Sequence, residues 1–172
     1  AKLNEKKSQL LSFGKEVIDK IGDIEQCKTN DRVRHFGFFL NQDGLINNID
    51  EILDKILKKL KILRNLYPNF TTRVNIWKGY AISSLLYQSE VIVITKPQIV
   101  KFEQIEKWFL FQGNLNDCEV KSIDDLKNTF SKISLERLAQ PKKYGGMNLR
   151  RIEDVFSAAK TKVVMRALQD HR

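Results

Sequence analysis

The feature that most constrains this chain is a run of apolar side chains just before its first proline. They recur at intervals of 4, 3, 4, 3 and 4 residues, at Ile49, Leu53, Ile56, Leu60, Leu63 and Tyr67. This is the spacing of one face of an α-helix. Pro68 lacks a backbone N–H and disfavours helical geometry in the residue before it, so we predict that the helix ends there. Other elements must cover its apolar face.

Lysines occupy the opposite side of this predicted helix. At about 100° per residue, Lys55, Lys58 and Lys59 fall away from the apolar positions. The stretch 55–89 carries seven basic residues and no acidic residue, within a chain whose formal net charge is +9. An excess of this kind favours polyanionic partners such as nucleic acid or anionic lipid. The alternative is an ordinary solvated helix face that serves solubility.

A second basic stretch covers residues 132–172, with ten basic and four acidic residues. It includes the run Pro141-Lys142-Lys143-Tyr144-Gly145-Gly146 and, just beyond it, Arg150-Arg151. The order Gly-x-x-x-x-Gly-Lys-[Ser/Thr] of a phosphate-binding loop is missing, so we do not expect a nucleoside triphosphate site. Two interpretations remain. The run is either a basic loop that contacts nucleic acid or a glycine turn that joins two helices.

The remaining patterns predict further helices after a short β-containing start. Helices are expected over residues 71–88, 96–112 and 152–168. The aromatic stretch 33–40, which contains Gly37, predicts a strand followed by a polar turn. No run approaches the roughly 18 apolar residues of a bilayer-spanning helix, so we expect no membrane partner. The expected fold is mainly α.

Five short segments follow one another in an order shared with a known family. The first two are Asn4-x-x-Lys7-Ser8 and the strand segment His35-Phe36-Gly37. The other three are Arg73 followed by Lys78, the segment Lys107-Trp108-Phe109-Leu110-Phe111-Gln112-Gly113, and the Pro141 to Gly146 run. This order resembles motif D, motif E (the primer grip) and the thumb and later segments of a LINE-type (non-LTR) retrotransposon reverse transcriptase. The similarity extends over most of the chain.

The resemblance implies three regions. These are a palm tail with the motif D-like and motif E-like segments (1–46), a helical thumb (47–113) and a C-terminal helical connection region (114–172). The implied fold is a helical thumb bundle with a small β-containing palm remnant at the N-terminus. The implied partners are template RNA, an RNA–DNA or DNA duplex, and the upstream palm and fingers domains of the parent chain. A retrotransposon ribonucleoprotein implies the nucleus and cytoplasm.

The resemblance also separates this chain from catalysis. Polymerase chemistry needs aspartates of motifs A and C to hold two Mg²⁺ ions, and those motifs would lie before Ala1. We therefore expect an excised part of a longer polymerase, with no cofactor of its own, Mg²⁺ in the parent active site, and no activity alone. Lys7 is the one catalytic candidate, as the motif D lysine near the departing pyrophosphate, and a solvated lysine is the alternative. We interpret Asp23, Asp31 and Asp124-Asp125 as surface carboxylates.

The predicted nucleic-acid contacts combine a glycine-bearing strand with basic side chains. The resemblance to motif E implies that His35, Phe36 and Gly37 approach the primer terminus, since glycine permits a close backbone approach. For Phe36 the alternative is ordinary core packing. The basic candidates are Lys55, Lys58, Lys59, Arg73, Lys78, Lys142, Lys143, Arg150 and Arg151. Such residues neutralise backbone phosphates without reading the sequence. Two alternatives lack polymerase kinship: a freestanding helical nucleic-acid-binding module and a structural adaptor.

Overall fold

The computed structural model describes residues 10, 20–21, 24–25, 32–35, 38–41, 43–111, 120–126 and 133–170, some of them by their backbone alone. The chain divides into two compact units, Ala1–Asn48 and Ile49–Arg172. This division falls two residues after the predicted end of the first region. The functional labels of the three regions stay predictions. No helix of the described part is long and apolar enough to cross a membrane.

The first unit contains short antiparallel strands. Strands β1 (Lys20–Ile21) and β2 (Ile24–Glu25) pair with each other. Strands β3 (Val33–His35), β4 (Phe38–Asn41) and β5 (Gly44–Ile46) form a three-stranded sheet in that order. The turn between β4 and β5 is held by Asn41, whose Oδ1 accepts a hydrogen bond from the Asp43 N–H (3.0 Å). Gly44 follows at a φ of +118°, a conformation that favours glycine.

The second unit is helical throughout its described regular elements. They are α1 (Ile49–Arg64), α2 (Phe70–Ile76), a π-helical segment (Trp77–Ile82), α3 (Ser83–Ser89), α4 (Lys96–Phe111), α5 (Leu135–Ala139) and α6 (Ile152–Asp170). Two 3₁₀ turns, Ile123–Leu126 and Lys142–Tyr144, lie between α4 and α6. The prediction of a mainly helical fold with a small sheet near the N-terminus is confirmed.

The apolar face of α1 forms one side of the helical core. Four of its predicted positions, Ile49, Leu53, Ile56 and Leu60, are fully buried, and α1 packs against α3 and α4. The rings of Trp77 and Phe102 meet at a centroid distance of 4.7 Å within this core. Burial of this apolar area is the main stabilising term of the unit.

The end of α1 differs from the prediction. Tyr67 was expected on the buried face, but it is 91% exposed. The helix ends at Arg64, and the N–H of Tyr67 donates to the Arg64 carbonyl (2.9 Å). Tyr67 then adopts a φ of +50°, the left-handed conformation that ends many helices. This turns the chain before Pro68 and moves the ring off the apolar face.

The element from Phe70 to Ser89 matches the predicted second helix, with two differences. Its N-cap is Asn69, whose Oδ1 accepts from the Thr72 N–H (2.9 Å), rather than one of the two threonines. Its middle third is π-helical. Such segments are rare and lie frequently at functional sites.

Candidate nucleic-acid interface

The outer face of α1 presents three of the predicted lysines to solvent. Lys55, Lys58 and Lys59 are exposed on the side opposite the buried positions. We call these three residues the lysine face. None of them forms a salt bridge with another described residue. Because α1 is fixed by its buried side, the lysine face is a row of positive charges on a rigid helix.

The acidic residues of α1 lie in and near its first turn, before the lysine face. Asp50 pairs with Lys101 and accepts a hydrogen bond from Gln98 Nε2 (2.8 Å). These two hydrogen bonds hold the pKa of the Asp50 carboxyl below its ordinary value. Negative charge also suits the N-terminal end of a helix. The charge of α1 is therefore divided along its length.

Large apolar side chains are exposed just beyond the lysine face. Ile62 follows Lys58 by four residues, and Leu66 and Tyr67 come after the helix end; all three are exposed. Exposed aromatic and apolar groups beside lysines suit a nucleic-acid surface, because bases and sugars offer apolar contact next to phosphates. The periodicity of the sequence does not predict the exposure of Tyr67, because its spacing fits the buried face.

The arginines of the same stretch have a different role. Arg64 is 4% exposed, donates from Nη1 to the Trp108 carbonyl (2.8 Å), and lies 4.6 Å from the centre of the Trp108 ring. Arg73 donates from Nε to the Pro68 carbonyl (2.9 Å) and from Nη1 to the Leu110 carbonyl (3.3 Å). Carbonyls in the last turn of a helix have no partner within the helix. Arg73, predicted to bind nucleic acid, is thus engaged in capping α4.

Lys78 joins the two basic stretches of the sequence. It lies in the π-helical segment and donates from Nζ to the Met147 carbonyl (2.6 Å). Its pKa lies below the ordinary value because burial disfavours its charge, and the positive charges of Lys142 and Arg150 add to this. We call Lys78, Lys142 and Arg150 the cationic cluster. Positive charges held close together repel one another, so an anionic ligand would stabilise them.

The glycine run is a tight turn that presents this cluster. Gly145 has a φ of +80°, and a Cβ atom on Gly146 would lie 2.0 Å from the Gln140 carbonyl oxygen. Every backbone N–H from Tyr144 to Leu149 donates to a carbonyl between Leu138 and Lys142. These amides cannot also cradle a phosphate. The run therefore forms a turn between α5 and α6, and phosphate contact by its cationic side chains stays a prediction.

Two predicted cations on this turn have local partners. Lys143 lies with Nζ 4.7 Å from the centre of the exposed Tyr144 ring. Arg151 forms an exposed salt bridge with Glu153 (3.7 Å). Exposed pairs of this kind contribute little free energy, so both cations stay available for a stronger anionic partner.

Several predicted residues lie outside the described part of the chain. These are Lys7, Asp23, Asp31, Phe36 and Gly37, and only the backbone of His35 is described, in β3 opposite Phe38.

Asp125 is an exposed carboxylate with a structural role. It accepts hydrogen bonds from the Lys121 and Ser122 N–H groups (2.8 Å each), and these bonds keep its pKa below the ordinary value. Asp125 lies within the 3₁₀ turn Ile123–Leu126, and its side chain ties the two residues before the turn to it. Among the described residues, no group of three or more His, Cys, Asp or Glu side chains is placed to hold a metal ion.

Comparison with known proteins adds no relative. No protein-family model matches the chain, no curated protein matches its sequence, and no solved structure matches its fold.

Proposed function

We propose that the helical unit binds the sugar–phosphate backbone of a nucleic-acid duplex, as the thumb of a non-LTR retrotransposon reverse transcriptase that grips the template–primer. The observation that carries this proposal is the lysine face: three exposed cations on a rigid helix, in a stretch of 35 residues without a carboxylate. The motif order of the sequence supplies the link to the polymerase.

The geometry of the lysine face suits phosphates rather than base edges. Residues three and four apart on a helix are neighbours, with Cβ atoms about 5–6 Å apart, so the three ammonium groups can follow one strand. Lysine is a compact charge on a flexible stem and tolerates different phosphate positions. Contacts of this kind track backbone shape and fit an RNA–DNA hybrid of any sequence. A polymerase needs that tolerance.

Charge reversal of the lysine face tests the proposal. Replacing Lys55, Lys58 and Lys59 by Glu lowers the formal net charge from +9 to +3. We expect affinity for a blunt RNA–DNA hybrid to fall roughly 100-fold at moderate salt, equally for unrelated sequences, by fluorescence anisotropy. The matched control replaces Lys15, Lys20 and Lys28, which lie in a charge-balanced part of the sequence. Equal losses in both variants would contradict the proposal.

The polymerase part of the proposal has its own test. The chain alone should not extend a primer on an RNA template, whereas a parent protein with the upstream aspartate motifs should extend it. A freestanding binding module would bind the hybrid without any such parent activity, and a structural adaptor would not bind it. Reliable extension by the chain alone would contradict the assignment.

A further inference from the structure

A cleft of about 540 Å³ opens in the helical unit beside the cationic cluster. Its walls come from the middle of α4, the start of α5 and the segment that leads into α6. The volume lies within the range of about 300–1,000 Å³ that is common for small-ligand sites. The lysine face does not border it, so the proposed duplex contact leaves this cleft unused.

The wall of the cleft includes a buried carboxyl group. Glu106 is 6% exposed and forms no salt bridge with any described cation. Burial, together with the charge of Glu103, raises its pKa to about 8, and the Trp77 indole and Lys107 oppose this only in part. Near neutral pH the Glu106 carboxyl is therefore largely protonated, and at the wall of the cleft it offers a ligand both a donor and an acceptor.

The chemistry of the cleft favours a nucleobase. Leu135, Leu149 and Ile152 offer apolar surface for the faces of a planar ring. The Glu106 carboxyl matches the amino and ring-nitrogen groups along a base edge. The lining has no excess of positive charge that would favour a phosphate inside the cleft, because the carboxylates Glu103, Glu136 and Glu153 stand beside the cations Lys107, Arg150 and Arg151.

The position of Arg150 connects the cleft to the cationic cluster. Arg150 lines the cleft, and its charge also acts on Lys78. A phosphate bound by the cluster would therefore lie next to the cleft, and the base of the same nucleotide could enter the cleft.

We propose that this cleft receives one unpaired nucleobase of a nucleic-acid strand, whose phosphate is held by Lys78, Lys142 and Arg150. The inference rests on the proposed function, because it assumes a nucleic-acid ligand. It adds a single-strand site to the duplex contact, with Glu106 as the residue that binds the base edge. Thus a strand can be held beyond the end of its duplex.

The test compares three ligands on the full chain by anisotropy: a blunt RNA–DNA hybrid, the same hybrid with a short single-stranded extension, and one whose extension is abasic. We expect the extension to raise affinity about tenfold, since contact with one base contributes roughly 1–3 kcal/mol, and the abasic extension to lose this gain. Glu106→Met should abolish the gain. Glu106→Gln should keep it, because an amide also offers a donor and an acceptor. Both variants should bind the blunt hybrid with the same affinity as the unsubstituted chain.

The outcomes separate this inference from the proposed function. If the unsubstituted chain does not bind the blunt hybrid, the duplex proposal is contradicted. Whether the cleft binds a base is decided separately, by the gain in affinity from the extension. No gain, or an equal gain from the abasic extension, would overturn the inference without any need for a variant. A gain that survives Glu106→Met would overturn it also. Competition by a free nucleoside monophosphate would identify a free-nucleotide site instead of a strand site.

Discussion

The lysine face of α1 and the charged residues buried against α4 differ in their surroundings and in their roles. Lys55, Lys58 and Lys59 are exposed and free of salt bridges to described residues, whereas Arg64 donates to a carbonyl at the end of α4. Glu106 lies buried on α4 without an ion pair to a described cation. A run of positive charge in a sequence is therefore not one surface. Arginine, with five donors in a planar fork, suits the capping task, and lysine suits the exposed one.

Glu106→Gln should give the largest change in stability. The carboxyl has a pKa of about 8 in the folded chain and an ordinary value of 4.5. Between these pH values the folded state holds a proton that the unfolded state has released, so stability falls as pH rises and levels off above about 8. The amide does not titrate. We expect the variant to match the unsubstituted chain near pH 4 and to exceed its free energy of unfolding by up to roughly 5 kcal/mol at pH 9, by urea unfolding.

A constant difference between the two proteins across this pH range would contradict the buried-charge description of Glu106. The matched control is Glu136→Gln, which changes an exposed carboxylate of the same cleft. It should leave the pH profile unchanged to within about 0.5 kcal/mol.

Arg64→Met should follow, with a loss of roughly 2–4 kcal/mol. The substitution removes a buried charged hydrogen bond to the Trp108 carbonyl and the stacking on its ring, and leaves that carbonyl without this donor. Lys59→Met, on the exposed side of the same helix, should change stability by less than about 0.5 kcal/mol. Denaturant unfolding measures both. The distinction between the two regions fails if the two substitutions have the same effect.

Gly146→Ala should give a smaller loss, of roughly 1–3 kcal/mol. A Cβ atom would lie 2.0 Å from the Gln140 carbonyl oxygen, so the turn must shift. Gly79→Ala is the control, because nothing lies within 4 Å of its added Cβ and alanine favours a helix. It should be neutral or stabilising by up to about 1 kcal/mol in thermal unfolding. A tolerated Gly146→Ala would mean that the turn is not held in this form.

Local spacing predicted the helices well, because the positions of Ile49 to Leu60 determine which side of α1 is buried. Local spacing did not predict contacts between residues that are distant in the sequence. Arg73 and Leu110 are 37 positions apart, and Lys78 and Met147 are 69 apart. Such pairs depend on how the helices pack, and the periodicity of a single sequence does not encode that packing. For this reason the hydrogen bonds of Arg73 to the Pro68 and Leu110 carbonyls could not be predicted, while its contact with nucleic acid stays a prediction.

Tyr67 and Glu106 illustrate two further limits. The spacing of Tyr67 fits the apolar face, and only its backbone conformation removes the ring from it. Glu106 lies among apolar residues of α4, at a position whose helical spacing to Phe102 and Phe109 places it on the buried side. That spacing was the signal of its burial in the sequence. The charge of its side chain nevertheless assigns such a residue to the solvent side unless the packing partners are known.

The salt dependence of binding tests most directly whether the lysine face carries the duplex contact. Neutralisation of about four phosphates predicts a slope of log affinity against log salt of roughly −3 to −4 on an RNA–DNA hybrid. The triple substitution Lys55→Glu, Lys58→Glu and Lys59→Glu removes three of these contacts. It should make the slope shallower, at about −1 or closer to zero. An unchanged slope in this variant would contradict the account and direct attention to the basic turn from Lys142 to Arg151.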